Sequence, residues 1–148
     1  MYQNQREIGK ALRDIRIDRE EIFLTTKIWH PHLRYADVFT QFEECLSDLQ
    51  MDYVDLLLIH HPSDSVPVAE TFEAFHKLHE AGSVKSIGIS NFSIAQVEES
   101  CEVSELPICT NQVEYHVRQK PIRIARLLPR ARYCDDGTPS ACCWKPCR

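Results

Sequence analysis

One segment constrains the fold of this chain more than any other: residues 52–62, an apolar run that ends on His60, His61 and Pro62. A strand that is covered on both faces reads as a continuous hydrophobic stretch, as parallel strands between helices do. The run therefore predicts a buried parallel strand at residues 56–60. A titratable side chain at the carboxyl end of such a strand lies where α/β barrels place their chemistry.

The segments around this run alternate between helical and strand-like patterns. Helical spacing predicts helices at residues 4–15, 35–49, 66–81 and 93–101. Apolar and β-branched runs predict strands at residues 22–27, 56–60, 84–89 and 107–113. The order predicts an α/β fold, with a parallel sheet and crossover helices.

Composition limits the class of protein. The 148 residues predict one domain, and the net charge of −5 argues against a nucleic acid or an anionic membrane surface as a partner. The sequence has no apolar stretch long enough to span a bilayer. Residues 1–7 lack the apolar core of a signal peptide, so we expect a cytoplasmic protein.

The seven cysteines do not predict a metal site. Three are scattered singly, and four crowd the last part of the chain, namely Cys134, Cys142, Cys143 and Cys147. Their spacing lacks the paired C-x-x-C of a zinc site, and no histidine lies among them. A zinc-binding tail therefore ranks well below the other interpretations.

Polar side chains stand at the carboxyl end of every predicted strand. In chain order they are Lys27, His60, Ser90 with Asn91, and Asn111 with Gln112. In a barrel these side chains converge on one mouth.

At this point the sequence resembles the aldo-keto reductase family. The matching motifs lie at residues 2–12, 23–29, 49–60, 82–92 and 111–116. They occur in the family's order and spacing, and they cover residues 1–120. Motifs in common register are far more specific than any one of them alone. The residues of these motifs are most similar to those of bacterial members of the diketogluconate-reductase type.

The resemblance implies a partial (β/α)8 barrel, roughly strands 3–6 with their helices, that reduces aldehydes and ketones with NADPH and without a metal. Tyr2 is similar to the family's general acid, which protonates the carbonyl oxygen. A phenol with a pKa of about 10 is a weak acid at neutral pH. Lys27 is similar to the partner whose positive charge lowers that pKa. His60 is similar to the residue that orients the carbonyl and assists proton transfer.

The resemblance also assigns the surrounding residues. Ser90, Asn91 and Gln112 are similar to the residues that hold the nicotinamide carboxamide. Trp29 matches a wall of the substrate pocket. His61 stands where many relatives have an aromatic residue, usually tryptophan, and is interpreted as a change in that pocket. The expected substrate is a small aldehyde or keto-sugar acid.

The chain departs from the family at both ends. The family's catalytic aspartate and first two strands would precede Tyr2, so we expect a start at an internal methionine. Residues 121–148 fit no helix or strand period and predict an irregular tail. One permitted coding of residues 131–139 gives, in a shifted frame, Arg-Gly-Ile-Val-Met-Thr-Ala-His, which is similar to the family's next strand. This motivates the hypothesis of a frameshift near residue 120.

These departures predict physical consequences. An incomplete barrel exposes unpaired sheet edges, which favours self-association, and it lacks the loops that grip the adenosine phosphates. We therefore expect impaired activity and weak NADPH binding. The alternative function is a non-catalytic remnant, or an assembly partner with the aldo-keto reductase fold.

Overall fold

The computed structural model describes residues 4–15 and 17–114. Helices and strands alternate along this part of the chain. The helices are α1 (Gln5–Asp14), α2 (Tyr35–Leu49), α3 (Val68–Glu80) and α4 (Ile94–Val103). The strands are β1 (Thr25–Ile28), β2 (Val54–Ile59), β3 (Val84–Ser90) and β4 (Ile108–Gln112). Two short 3-10 helices, Arg19–Glu21 and His30–His32, flank β1.

The strands form one parallel sheet in the order β1-β2-β3-β4. Each strand therefore pairs with its neighbour in sequence, and a helix makes each crossover. This is the arrangement of consecutive strands in a (β/α)8 barrel, of which the described residues form a part. The predicted fold class and the predicted alternation of helices and strands are confirmed.

The core lies between the helices and one face of the sheet. Its largest fully buried side chains include Phe42, Phe72, Phe75, Leu57, Ile59, Ile87 and Ile89. The opposite face carries the row Lys27, Leu58 and Gly88, which are paired across three strands. Because successive side chains alternate between the faces, the sequence that buries Ile28 against the helices points Lys27 away from them.

Local signals explain two helix boundaries. Ser93 caps α4, since its hydroxyl accepts from the Gln96 backbone N–H and the Gln96 side chain accepts from the Ser93 backbone N–H. Gln50 ends α2 with a left-handed φ of 54°. Gly9 is the buried residue of α1. A Cβ at this position would collide with the backbone carbonyl of Leu49 in α2, so α1 packs this closely on α2 because Gly9 has no side chain.

The predicted start of the first strand is wrong. Residues 22–27 were expected from their β-branched and aromatic content, whereas β1 begins at Thr25, the first residue paired with β2 through Leu56. A 3-10 helix ends at Glu21, and Phe23 is 70% exposed. The other predicted boundaries differ by a few residues; for example, β2 ends at Ile59 and α3 begins at Val68.

Residues 115–148 lie outside the described part of the chain. The domain boundary at residue 120, the irregular tail and the frameshift therefore stay predictions. Within residues 4–15 and 17–114, neither β1 nor β4 has a strand on its outer edge. None of the helices in this part is long and apolar enough to cross a membrane.

Candidate active site at the carboxyl edge of the sheet

The predicted site residues of four strands lie at one edge of the sheet. Ser90 and Gln112 are paired at the ends of β3 and β4, and His60 directly follows β2. Lys27 precedes the last residue of β1. Ser90 is buried, Lys27 and His60 are half-buried, and Gln112 is exposed. Strand pairing thus holds the backbone at this edge in place, and the side chains of Lys27, His60 and Gln112 are at least partly accessible.

Asn91 connects three strands at this edge. It adopts a left-handed φ of 63°, which Asn tolerates better than most residues. Its backbone N–H donates to the Gln112 carbonyl at 2.9 Å, and its side-chain Nδ2 donates to the His60 carbonyl at 2.9 Å. Ser90 Oγ donates to the same Gln112 carbonyl at 2.8 Å. The ends of β2, β3 and β4 are therefore held together around the Asn91 amide.

A series of ring contacts leads from His60 to Trp29. The ring centroids of His60 and His61 are 4.7 Å apart, and those of His61 and His30 are 6.3 Å apart. Trp29 lies 5.5 Å from His30 in an edge-on arrangement. These rings form one side of the edge, beside Lys27.

Two pKa values at the edge are lowered. Burial lowers the pKa of Lys27. Burial also lowers the pKa of His60, and the positive charges of His61, Lys27 and His30 lower it further. His60 is therefore mainly neutral at neutral pH and can share a hydrogen bond with a carbonyl oxygen.

Two residues that no sequence motif indicates also contribute to this edge. Gln41 of α2 accepts a hydrogen bond from the Trp29 backbone N–H at 2.8 Å and so fixes the chain after β1. His30 is exposed and contacts both Trp29 and His61. Gln41 lies at the end of the second turn of α2, in a segment that carries no chemical motif. Its part in the site follows only from the packing of α2 on β1.

Tyr2 lies outside the described residues, and its role as general acid stays a prediction. So do the roles predicted for Lys27, His60, Trp29 and His61, although the structure brings these four together. Among residues 4–15 and 17–114, no group of three or more His, Cys, Asp or Glu side chains is arranged to hold a metal ion. The four terminal cysteines are not in this part.

The polar groups at the edge fit a carboxamide. A carboxamide offers one acceptor oxygen and an NH₂ donor, so it needs groups of both kinds. The exposed Gln112 amide can donate and accept, and Asn91 presents its Oδ1 once Nδ2 is bound to His60. Ser90 donates to a backbone carbonyl and accepts from Asn91 Nδ2 at 3.1 Å, so its described contacts support Asn91.

The loop that follows His61 lines a cavity of about 280 Å³. It is bordered by Ile59, Val66, Thr71 and Phe92, with Asp64 and Glu99 also in its wall. Neither Lys27 nor His60 lines it. The candidate chemistry therefore lies at the open edge and not in this cavity.

Comparison with known proteins identifies relatives. The Aldo/keto reductase family profile matches residues 1–136. The chain is 37% identical to a glyoxal reductase of Bacillus subtilis over 83% of this chain and 45% of that protein. It is 39% identical to dihydrodiol dehydrogenase 3 of Bos taurus over 78% of this chain and 44% of that protein. The chain spans about half the length of the curated relatives it matches.

Solved structures agree with the sequence comparison. A putative 2,5-diketo-D-gluconic acid reductase B superposes with a TM-score of 0.76 at 45% identity, over 78% of this chain and 41% of that one. An aldo-keto reductase complexed with NADPH superposes with a TM-score of 0.78 at 29% identity, over 82% of this chain and 41% of that one. With its parallel β/α units and its family motifs, the chain belongs to the Aldo/keto reductase family.

Proposed function

We propose that this chain carries the active-site half of an oxidoreductase that reduces a small aldehyde or ketone with NADPH. The observation that carries the proposal is the convergence of Lys27, His60 and the Asn91 amide at one carboxyl edge. That edge is where parallel β/α folds hold reactive groups. Family membership supports the class of reaction, and the NADPH complex of a structural neighbour supports the cofactor.

NADPH, when bound, supplies the hydride that reduces the carbonyl carbon. Asn91 and Gln112 would hold the nicotinamide carboxamide, with Ser90 fixing Asn91 from behind. The hydrogen bonds between Asn91 and the ends of β2 and β4 restrict its motion, so the carboxamide would meet a preorganised partner.

Lys27 and Tyr2 would deliver the proton. Tyr2 is proposed to protonate the carbonyl oxygen as it gains negative charge. A cationic Lys27 near the phenol would favour the phenolate and lower the pKa of Tyr2. Burial of Lys27 weakens its hydration, so its charge acts more strongly on a neighbour than the charge of an exposed lysine.

His60 would orient the substrate. Its lowered pKa favours a neutral ring that donates a single hydrogen bond to the carbonyl oxygen. Trp29 and His61 would form the pocket wall, and their rings suit a small substrate with polar groups. Relatives named for glyoxal and for 2,5-diketo-D-gluconic acid support a small aldehyde or keto-sugar acid as the substrate class.

We also propose that the chain by itself is impaired and works in the cytoplasm. The proposed impairment predicts weak NADPH binding. The free thiols of Cys45, Cys101 and Cys109 in the described part agree with a reducing compartment. A non-catalytic role, as an assembly partner with the same fold, is the second candidate.

An NADPH-oxidation assay with an aromatic aldehyde distinguishes the two candidates. We expect slow turnover that falls roughly 100-fold in Lys27→Met. Tyr2→Phe should also abolish turnover. The matched control is Lys10→Met, which removes an exposed lysine on α1 and should leave the rate unchanged. A folded protein without turnover supports the non-catalytic candidate. Calorimetry that gives micromolar NADPH affinity contradicts the proposed impairment.

A further inference from the structure

The chain between β1 and α2 is held at both ends by side chains of helices. At its start the Trp29 backbone N–H donates to Gln41 Oε1 of α2 at 2.8 Å. At its end the buried Thr71 Oγ1 of α3 donates to the Leu33 carbonyl oxygen at 2.8 Å. The rings of Trp29 and His30 lie between these two anchors, so their position at the edge depends on both.

Gln41 supplies an acceptor that the β1–β2 ladder does not. The Ile28 carbonyl oxygen faces β2, since it accepts from the His60 backbone N–H at 3.0 Å. Successive backbone groups of a strand point to opposite sides, so the Trp29 N–H points away from β2. Within residues 4–15 and 17–114 no strand pairs with that side of β1. A half-buried N–H without a partner is costly, which makes the contact with Gln41 Oε1 important for this segment.

Lys27 and His60 have anchors of their own. Lys27 is paired with Leu58 in the β1–β2 ladder, and the His60 backbone N–H is bound to Ile28. Loss of the Gln41 acceptor therefore leaves the backbone of both residues in place. It releases the segment that carries the Trp29 indole.

We propose that Gln41 is a positioning residue that holds Trp29 in place and thereby makes the site selective for small carbonyl substrates. The role of Trp29 as a pocket wall rests on the proposed function; the hold of Gln41 on Trp29 does not. A wall fixed at its backbone leaves space for a small aldehyde and hinders a larger ring, whereas a released indole moves aside for it. Gln41 acts through Trp29 and needs no contact with the substrate.

Hydrogen exchange of the Trp29 backbone amide, measured by NMR without cofactor, tests the hold of Gln41. Gln41→Met keeps the length of the side chain and removes the oxygen acceptor. We expect the Trp29 amide to exchange at least about fivefold faster in this variant, the equivalent of one neutral hydrogen bond. Gln41→Glu keeps an acceptor oxygen and should restore slow exchange. The matched control is Glu44→Met, at an exposed position of α2, which should leave Trp29 unchanged.

Acrylamide quenching of the indole fluorescence is the second measurement. The sequence has two tryptophans, so Trp144→Phe leaves Trp29 as the one fluorophore of its kind. In this background we expect Gln41→Met to make Trp29 more accessible to acrylamide, and Gln41→Glu to reverse the change. Backbone spectra verify that the variants fold. Should Gln41→Met unfold, Gln41→Ala lets water reach the Trp29 N–H and takes its place in both measurements.

Two outcomes overturn the proposal at this stage. Exchange and quenching of Trp29 that do not change in Gln41→Met would mean that Gln41 does not hold this residue. Fast exchange that persists in Gln41→Glu would mean that the acceptor oxygen is not what holds it.

Turnover of NADPH with propanal and with 4-nitrobenzaldehyde tests the link to the substrate. In Gln41→Met the ratio of kcat/KM for propanal to that for the aromatic aldehyde should fall about fivefold. Most of this change should be in KM, because Lys27 and His60 keep their backbone anchors. Gln41→Glu should recover the ratio, and Glu44→Met should not alter it.

The outcomes separate this proposal from the proposed function. If Gln41→Met releases Trp29 as expected and even the wild type does not oxidise NADPH, the proposed function fails and the positioning of Trp29 by Gln41 stands. If the enzyme is active and the ratio is unchanged in Gln41→Met, the proposed role in substrate selectivity is wrong. A lower kcat at an unchanged ratio also contradicts it, because Gln41 would then act on the reacting groups.

Discussion

Gly88 lies directly beside Leu58 in the sheet, and the missing side chain of Gly88 makes room for the Leu58 methyl groups. The two residues are paired between β3 and β2, in the row that Lys27 completes on β1. A Cβ on Gly88 would stand 2.6 Å from Leu58 Cδ2 and 3.0 Å from the Thr110 carbonyl oxygen of β4. Close packing of this row supports the position of Lys27.

Gly88→Ala should destabilise the fold by about 1–3 kcal/mol, because Leu58 must leave its rotamer and the Thr110 backbone can yield little. Urea unfolding measures the change. Leu58→Ala creates the missing space, so the double variant should be more stable than the sum of the two single changes by roughly 1 kcal/mol. Strict additivity would mean that Leu58 is not the side chain that Gly88 accommodates.

The ion pair between Arg19 and Asp55 should contribute strongly to stability. Asp55 Oδ2 accepts from Arg19 Nη2 at 2.7 Å and from the Leu24 backbone N–H at 2.8 Å. The two side chains are only 16% and 19% exposed. Asp55→Ala leaves a poorly hydrated guanidinium and an unpaired N–H, so we expect a loss of about 2–4 kcal/mol in urea unfolding.

The control for this change is Glu80→Ala. Its pair with Lys77 has the same charges at 2.8 Å, but both side chains are largely exposed. Such exposed pairs contribute little to stability, because water screens their charges, so we expect a much smaller loss than in Asp55→Ala. Equal losses in the two variants would show that burial does not strengthen the Arg19–Asp55 pair.

His76 should make the fold sensitive to acid. The Leu106 backbone N–H donates to His76 Nε2 at 3.3 Å, so this nitrogen must be unprotonated. Burial lowers the pKa of His76 below its ordinary value, against the opposing charge of Glu105. The unfolded chain therefore binds the proton more readily, and stability falls as the pH drops through about 6.5.

Urea unfolding at several pH values measures this dependence. His76→Gln should reduce the slope of unfolding free energy against pH in that range. His60 has a pKa lowered in the same direction, so the double variant with His60→Gln should lose more of the slope. An unchanged slope in His76→Gln would assign the acid sensitivity to other groups.

The sequence is sufficient to predict which elements form and which polar residues lie at the carboxyl edge of the sheet. The run at β2 is apolar on both faces and ends on His60, so the sequence alone predicts both the burial of the strand and its polar end. The start of β1 cannot be predicted in this way, because Thr25 begins the strand by pairing with Leu56, a residue far along the chain. Side-chain composition around Phe23 carries no information on that partner.

The contacts of Asn91 are the clearest example of what the sequence cannot show. Three strands and a left-handed backbone bring its Nδ2 to the His60 carbonyl and to His61 Nε2. Residue spacing indicates that Asn91 ends a strand. It does not indicate that the side chain points back along the sheet edge, which depends on the register of β2 against β3.

Exposed apolar side chains precede β1 along the chain. Phe23 is 70% exposed, and the nearby chain contributes Ile15 at 56% and Ile17 at 44%. Within the described residues no strand pairs with the outer edge of β1. Exposed apolar side chains favour association with another chain, and we propose a second copy as the partner.

Phe23→Lys should therefore weaken self-association. We expect the wild-type chain to sediment as a concentration-dependent mixture of monomer and larger species. Removing one large apolar side chain from the contact, worth about 2 kcal/mol when buried, should weaken association by roughly tenfold or more. Val103→Lys replaces another exposed apolar residue, at 40% exposure on α4, and should leave association unchanged. A monomeric wild type would exclude the proposed contact. Equal effects of the two lysine substitutions would mean that the added charge weakens association wherever it stands, so Phe23 would not be at the contact.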